Sequence, residues 1–527
     1  MTGCQVTTAA QAAARDRAAI AAGTPAVALM QRAGTAAAQL LLRDDRRRLQ
    51  GGVTCWAGPG NNGGDAYVLA AELARHGVPV RVRAVAPPRS EEARAAAQAW
   101  AVAAGVGPEE EATPSLGWGG VVVDGLVGTG HTGALRGPVA AACLAIASAR
   151  ANGAHVVALD IPTGVDATSG ALAPGHVVAH DTLSFGTVKR GALLARGAVG
   201  RLRVLDIGLG DHARQDDGAW ALASPETLGG RLADVPWNAH KGDRGRVVVV
   251  GGGAGMAGAA LWAAEGALRA GAGVVTALVD AASVPAVQGA LPQALAAPWP
   301  PQTDHLMVPS AHALAVGPGL GRGANAAALL AAVAHTLRHH QPTVPVVLDA
   351  DALWHLADGQ RPAAQAVAAW SAGGRPVVLT PHAGEAARLL GAPLSDDWDL
   401  RVHALQQLAR DSGAVVLCKG TPTLVVAPDG AVWAMPRGTP VLATGGSGDL
   451  LAGMLATLMA QRHGALEATL LAATAHGLAA ERVHQAAGGA RGTLLADVSA
   501  SLPHAWRLLE RGVAHPEGVL VDLPALA

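Results

Sequence analysis

Residues 247–264 read VVVVGGGAGMAGAALWAA, and how they fold decides the architecture around them. Eighteen residues without a charge are long enough to cross a membrane. Five of them are glycines, however, and the composition changes midway from β-branched to alanine-rich. The stretch therefore reads as strand, turn and helix, not as a span. Working outward, RVVVVGG is followed by GVVTALVD, HALAVG, VPVVLDA, RPVVLT, AVVLCKG and TLVVAP, with helical patterns near 446–461, 465–486 and 492–510. The half before it repeats the alternation. A long alanine-rich amphipathic region fills 8–49, and VTCWAG, PVRVRAV, GVVVDGL, HVVALDI, DTLSFG and RLRVLDI read as buried strands. Such alternation predicts parallel sheets with helices on both faces. The pattern lapses between 211 and 240, which marks a boundary between two α/β domains.

The composition agrees. A chain of 527 residues exceeds a single core, and 50% hydrophobic with 15% charged residues is globular. A net charge of −1 gives no reason to invoke nucleic acid or membrane. The four scattered cysteines contain no CxxC, which argues against disulfides and structural zinc. No signal peptide is read at the N-terminus, so a cytoplasmic location is expected, together with a homo-oligomer. Only three lysines occur (Lys189, Lys241, Lys419), against 36 arginines, and all three fall in glycine-bearing motifs (FGTVKRG, HKGDRG, CKGTPT). A lysine kept against that bias suggests a role that the planar guanidinium cannot fill.

In the first half, three loops follow strands: GPGNNGGD (58–65), DGLVGTGHTGALRG (124–137) and DIPTGVD (160–166). Loops after parallel strands converge on one crevice. Asn62, Asp124 and Thr163 then offer amide, carboxylate and hydroxyl oxygens, a set suited to a hard cation. In the second half, GAGMAG (253–258) satisfies GxGxxG between a strand and a helix, and Asp280 ends the next strand 22 residues later. By local criteria this is a dinucleotide fingerprint, and it keeps an NAD-dependent oxidoreductase open. The later loops do not suit that reading. VGPGLG (316–321), TPHAGE (380–385) and CKGTPT (418–423) each follow a strand, and TGGSGDLLAG (444–453) opens a helix. A GxGD turn aims amides at a phosphate while Asp449 can take a proton from a hydroxyl, which is phosphoryl-transfer chemistry without a Walker A motif. His335 and His339 have helical metal spacing but no HExxH and no third ligand, so no metal is assigned there.

Segment 8–208, through LMQRAG, GPGNNGGDAYVLA, DGLVGTG, DIPTGVD and FGTVKRG, resembles the NAD(P)HX epimerase half of the bifunctional NAD(P)H-hydrate repair enzymes. Segment 236–512, through HKGDRGRVVVVGG, GPGLG, LDADAL, TPHAGEAARLL, KGTPT and TGGSGDLLAG, resembles the ADP-dependent NAD(P)HX dehydratase half, whose fold is ribokinase-like. The resemblance implies a Rossmann-like three-layer α/β/α domain over 1–215 and a ribokinase-like domain over 222–527. For the epimerase it places Asn61, Asn62, Gly63, Gly64 and Asp65, then Gly128, Thr129, Gly130, His131, Thr132, Gly133 and Ala134, with catalytic Asp160, on the hydrate. Potassium falls to Asn62, Asp124 and Thr163, although the family's usual serine is Thr163 here. For the dehydratase it places Ala259, Gly319, His382 and catalytic Asp449 on the hydrate. Lys419, Gly420, Thr421, Pro422, Thr423 and Gly448 fall to the nucleotide, with magnesium accompanying ADP. Trp354 and Ala383 depart from the family's usual asparagine and proline. The implied activity is repair of hydrated NADH and NADPH: epimerisation of the R and S forms, then dehydration of S with conversion of ADP to AMP and phosphate. A ribokinase-like small-molecule kinase carrying an N-terminal nucleotide-binding module remains the rival.

Overall fold

The computed structural model describes residues 4–105, 120–215, 217–232, 234–299, 310–358, 362–513 and 515–525. They form two compact units, one of Met1–Ala221 with Ala514–Ala527 and one of Leu222–Val513.

The first unit opens on β1 (Gln5–Thr7), and the alanine-rich region then breaks into helices Ala9–Ala21, Ala26–Asp44 and Arg46–Leu49. Its main strands are β2 (Val53–Ala57), β3 (Val80–Ala84), β4 (Val121–Gly125), β5 (His155–Leu159), β6 (Asp181–Phe185) and β8 (Arg201–Leu205). They lie in the parallel order β8-β6-β5-β4-β2-β3. By chain position this is the flavodoxin-type order, and its switch point lies between β2 and β4, where a ligand crevice opens beyond the strand ends. Short β7 (Val188–Lys189) pairs parallel with β1, which pairs antiparallel with β9 (Trp220–Leu222).

Two features of this unit depart from the sequence reading. Residues 211–221 belong to it and not to a linker, because Arg15, fully buried, donates to both carboxylate oxygens of Asp217 and to Ala213 O. The expected second domain, 222–527, also loses its last segment. Strand β19 (Val519–Leu523) pairs antiparallel with β8, with Val521 and Leu523 buried on that edge.

The second unit orders its strands β12-β11-β10-β13-β14-β15-β16-β17-β18. They are β10 (Arg246–Val250), β11 (Val274–Val279), β12 (Leu295–Pro298), β13 (Ala313–Val316), β14 (Val346–Leu348), β15 (Val377–Leu379), β16 (Val415–Cys418), β17 (Thr423–Val426) and β18 (Val432–Met435). All neighbours are parallel up to β16; β17 and β18 return antiparallel. Residues 247–264 are indeed strand, turn and helix: β10 runs into helix Ala257–Arg269. Among the described residues no helix is long and apolar enough to cross a membrane. Helix Ala257–Arg269 packs directly on helix Ser447–Ala460. A Cβ on Gly266 would lie 2.1 Å from Leu450 O, and one on Gly453 1.8 Å from Ala263 O. Only glycine permits that approach, so Gly266 and the motif glycine Gly453 serve helix packing.

Candidate active sites

At the switch point of the first unit, the GPGNNGGD loop turns straight into helix Asn61–Arg75, capped by Gly60 with no side chain over its first amides. Such a helix start presents free N–H groups and a positive dipole end to an anion. Gly63 and Gly64 lie inside the first turn. A Cβ on Gly63 would lie 1.9 Å from Gly58 O, and one on Gly64 2.5 Å from the Met30 side chain. Their role here is steric, bringing Asn61, Asn62 and Asp65 to the crevice.

That crevice is a pocket of about 820 Å³ whose walls include Asn61, Asn62, Asp65, Gly128–His131, Asp160 and Lys189. The exposed Thr132, Gly133 and Ala134 lie outside its lining. Asn62 is buried, and neither its Oδ1 nor its Nδ2 has a hydrogen-bond partner. An orphaned buried amide is costly unless a ligand completes it. Gly128 sits beside it, where an added Cβ would lie 3.3 Å from Asn62 Cβ. Asp124, at the end of β4, is fully buried with Thr163, whose Oγ1 donates to Asp124 Oδ1 at 2.7 Å and whose N–H donates to Oδ2 at 2.8 Å. Burial pushes the Asp124 carboxyl up to about 6 despite those hydrogen bonds.

Asp160 adopts φ +64°, a left-handed conformation that aspartate tolerates better than most residues. Its carboxylate pairs with buried Lys189, whose Nζ also donates to Phe185 O at 2.8 Å. Asp65 and Asp16 face the same lysine. Burial, followed by the Asp160 and Asp16 charges, holds Asp65 well above the ordinary carboxylate range. Burial likewise raises Asp16, where Lys189 opposes it. Three carboxylates thus share one ammonium. Asp16 carried no motif signal, and Lys189 was signalled by the scarcity of lysine and by FGTVKRG but given no role.

In the second unit, Gly319 and Ala259 meet where the GPGLG and GAGMAG loops lie side by side. Gly253 N–H donates to Gly319 O at 2.7 Å, and a Cβ on Gly319 would lie 2.9 Å from Ala259 Cβ. Asp280 is spent locally, its Oδ1 accepting from Ala282 N–H at 2.9 Å, so the acid of the dinucleotide fingerprint caps a turn. His382 caps helix Ala383–Leu390, its Nδ1 accepting from the Gly384 and Glu385 amides at 3.0 and 3.3 Å. With Nδ1 an acceptor, the neutral ring carries its proton on Nε2.

The Pro381–His382 turn runs beside Lys419, whose N–H donates to Pro381 O at 2.8 Å. Lys419 Nζ donates to buried Asp349 Oδ1 at 2.9 Å and sits 3.1 Å from where a Cβ on Gly448 would stand. Gly420 N–H and O both bond Thr423 Oγ1, which closes the loop carrying Thr421 and Pro422. Gly446, at φ +90°, starts helix Ser447–Ala460, again without a side-chain cap. Asp449 in its first turn is pushed up to about 7, by burial first and then by Asp349, with Lys419 opposing. The buried His476 behind Ser447 is driven down to about 4 by burial and by Lys419, so it stays neutral. Asp349, Asp351 and Glu385 were not singled out by spacing, although LDADAL and TPHAGE contain them.

Two loop clusters at strand ends, each with an uncapped helix start and a carboxyl of raised pKa, are the marks of a two-site α/β enzyme. The sequence matches the family described as NAD(P)H-hydrate dehydratase over residues 247–504 and that described as YjeF-related protein N-terminus over 26–191. A bifunctional NAD(P)H-hydrate repair enzyme of Coxiella burnetii is 35% identical, covering 93% of this chain and 96% of its own length. One from Escherichia coli is 34% identical, covering 90% and 88%. Among solved structures, the ADP/ATP-dependent NAD(P)H-hydrate dehydratase of Bacillus subtilis is 30% identical, covering 55% of this chain and 98% of its own at a TM-score of 0.48. The chain belongs to the bifunctional NAD(P)H-hydrate repair enzymes.

Proposed function

We propose that the first site interconverts the R and S hydrates of NADH and NADPH and that the second removes water from the S form at the expense of ADP. The observation that carries this is the second site's pairing of Asp449, with its carboxyl near about 7, with uncapped helix amides and Lys419. A carboxyl of that pKa is half ionised at neutral pH and suited to general-base work. Hydroxide leaves poorly, so the hydroxyl on C6 of the hydrated ring must first become a better leaving group. Asp449 takes its proton as the hydroxyl oxygen attacks the terminal phosphorus of ADP and AMP departs. Lys419 and the amides around Gly448 stabilise the charge that develops on the phosphoryl oxygens. The lone pair of the ring nitrogen then expels phosphate from C6, and loss of a proton from C5 restores the dihydropyridine. Asp349, Glu385 and Asp449 together outnumber Lys419 in negative charge, so magnesium arriving with the diphosphate suits the site.

At the first site, Asn62, Asp124 and Thr163 would hold potassium, which would supply fixed positive charge beside the bound hydrate. The orphaned Asn62 amide supports that reading. The free amides at Asn61–Gly63 suit a substrate phosphate, and Asp160, oriented by Lys189, contacts the hydrated ring. The test follows inorganic phosphate and reduced-nicotinamide absorbance together, with S hydrate, ADP and magnesium. Equal yields of both support the reading. Consumption of ADP without recovery of absorbance makes the second site a kinase.

A further inference from the structure

Beside the second site, the half-buried indole of Trp354 carries two arginine guanidiniums over its ring. The guanidinium carbon of Arg322 lies 5.5 Å from the ring centre and that of Arg388 6.0 Å, while His355 meets the ring edge-on at 5.0 Å. The group is fastened to the GPGLG loop. Asp351 accepts from Arg322 Nε at 3.1 Å and from Gly321 N–H at 2.9 Å, and His355 Nε2 donates to Gly321 O at 2.9 Å. Gly319, proposed above to touch the hydrate, is two residues away in that loop. Arg388 lies on helix Ala383–Leu390, whose cap is His382, a second proposed contact. Six residues of helix span roughly 9 Å, within reach of an extended dinucleotide.

Holding helices together does not require this arrangement. The Arg322 side chain is 62% exposed, and Arg388 has no ion-pair partner among the described residues. Each exposed cation–π contact contributes only about 0.5–1 kcal/mol. Two guanidiniums on one ring repel each other, and Asp351 offsets only one of them. What remains is a cluster of indole and guanidinium planes in which Arg388 has no ion-pair partner among the described residues. A purine stacks on such planes, and a phosphomonoester takes paired N–H donors from such a guanidinium. Of the two hydrates, only that of NADPH carries a phosphomonoester, on the adenosine 2′ oxygen. We propose that Arg322, Trp354 and Arg388 receive the adenosine end of the hydrate, with Arg388 on the 2′-phosphate, so that the second site prefers hydrated NADPH. This rests on the dehydratase reading above.

The experiment compares kcat/KM for the S hydrates of NADPH and NADH in the full chain and in Arg388→Gln. A parallel calorimetric arm measures binding of adenosine 2′,5′-bisphosphate. The wild type should favour hydrated NADPH, and Arg388→Gln should cut that preference about tenfold, the effect of losing one charged hydrogen-bonding partner. Because the preference is a ratio measured on one protein, folding damage cancels from it. Trp354→Leu should weaken bisphosphate binding through loss of stacking. An unchanged ratio in Arg388→Gln overturns the assignment, and so does an equal loss on both hydrates, which would put the pyrophosphate there instead. If neither hydrate is turned over, the dehydratase reading fails by itself, and the calorimetric arm still decides the subsite. Binding that Arg388→Gln weakens supports it, and no binding overturns it.

Discussion

If Asp449 is the base, the rate of dehydration must rise with pH through its ionisation, and Asp349 controls where that rise falls. Burial and then Asp349 hold the Asp449 carboxyl near about 7, and Asp349 also accepts from Lys419 Nζ at 2.9 Å. Asp349→Asn removes a negative neighbour and releases Lys419 from its counter-ion, and both changes favour the Asp449 carboxylate. At an effective dielectric of about 20, neighbouring unit charges several ångströms apart interact by roughly 2 kcal/mol. One pH unit corresponds to about 1.4 kcal/mol, so the acid limb of kcat/KM should move down by about one unit. Lys419→Met removes the opposing charge and should move the limb upward. That variant is compared at saturating ADP, because Lys419 is also proposed to hold the nucleotide. The assay is the phosphate and absorbance pair, run from roughly pH 5.5 to 9 and bracketing the expected limb. An unmoved limb in Asp349→Asn, or movement of both variants in one direction, would refute the electrostatic account of Asp449.

Three other outcomes follow from the same geometry. Asp449→Asn should lose about 10²- to 10⁴-fold in turnover with ADP affinity kept. Because the folded-state pKa of Asp449 is raised from 3.8, its ionisation costs stability as pH rises from about 4 to about 7. The asparagine variant should therefore be more stable by about 1–2 kcal/mol near pH 8, after allowance for screening, and the gain should vanish below about pH 4; urea melts at both pH values check this. Potassium should raise the melting temperature more than sodium near pH 8, and Asn62→Ala should abolish the difference. The effect should fade at acid pH, where a proton competes with the cation for Asp124; an equal response to both ions contradicts the cation assignment. Ending the chain at Val513 removes β19, and with it the burial of Val521 and Leu523 on β8. The first unit should lose about 3 kcal/mol, an upper figure, in proteolysis-monitored unfolding, while fragment Leu222–Val513 should keep ADP-dependent dehydration.

The layers were legible because buried parallel strands are written as apolar runs, as in VVVDG at 121–125 and VVVV at 247–250. The three-residue strands β1 and β9 were not, since a short edge pairing leaves no periodicity. Strand β19 is apolar enough to read, but nothing local says that it returns to the first unit. The GAGMAG fingerprint misleads for a definable reason. The order β12-β11-β10-β13-β14-β15 is that of a dinucleotide-binding sheet, so the loop after β10 does flank a switch point, yet Asp280 is committed to a turn. Of the motif residues, Asp124 and Thr163 bond each other directly, and Lys419 stands beside Gly448, the neighbour of Asp449. What spacing could not show is the charge around them. The pairs Asp160–Lys189 and Asp349–Lys419 join separate strand ends, 29 and 70 residues apart, and only the folded sheet reveals that each lysine serves more than one carboxylate.

The central claim is that one chain holds both activities, and a mixture of R and S hydrates tests it most directly. Given ADP, magnesium and substoichiometric enzyme, and sampled before spontaneous epimerisation contributes, the intact chain should consume the whole mixture in one phase. Asp160→Ala should show a fast phase whose amplitude equals the S fraction, followed by a slow tail. Amplitude reports which epimer is accessible, whereas rate also carries any folding damage. Consumption of both epimers in one fast phase, by Asp160→Ala and by fragment Leu222–Val513 alike, would contradict the account and leave the first unit a binding module.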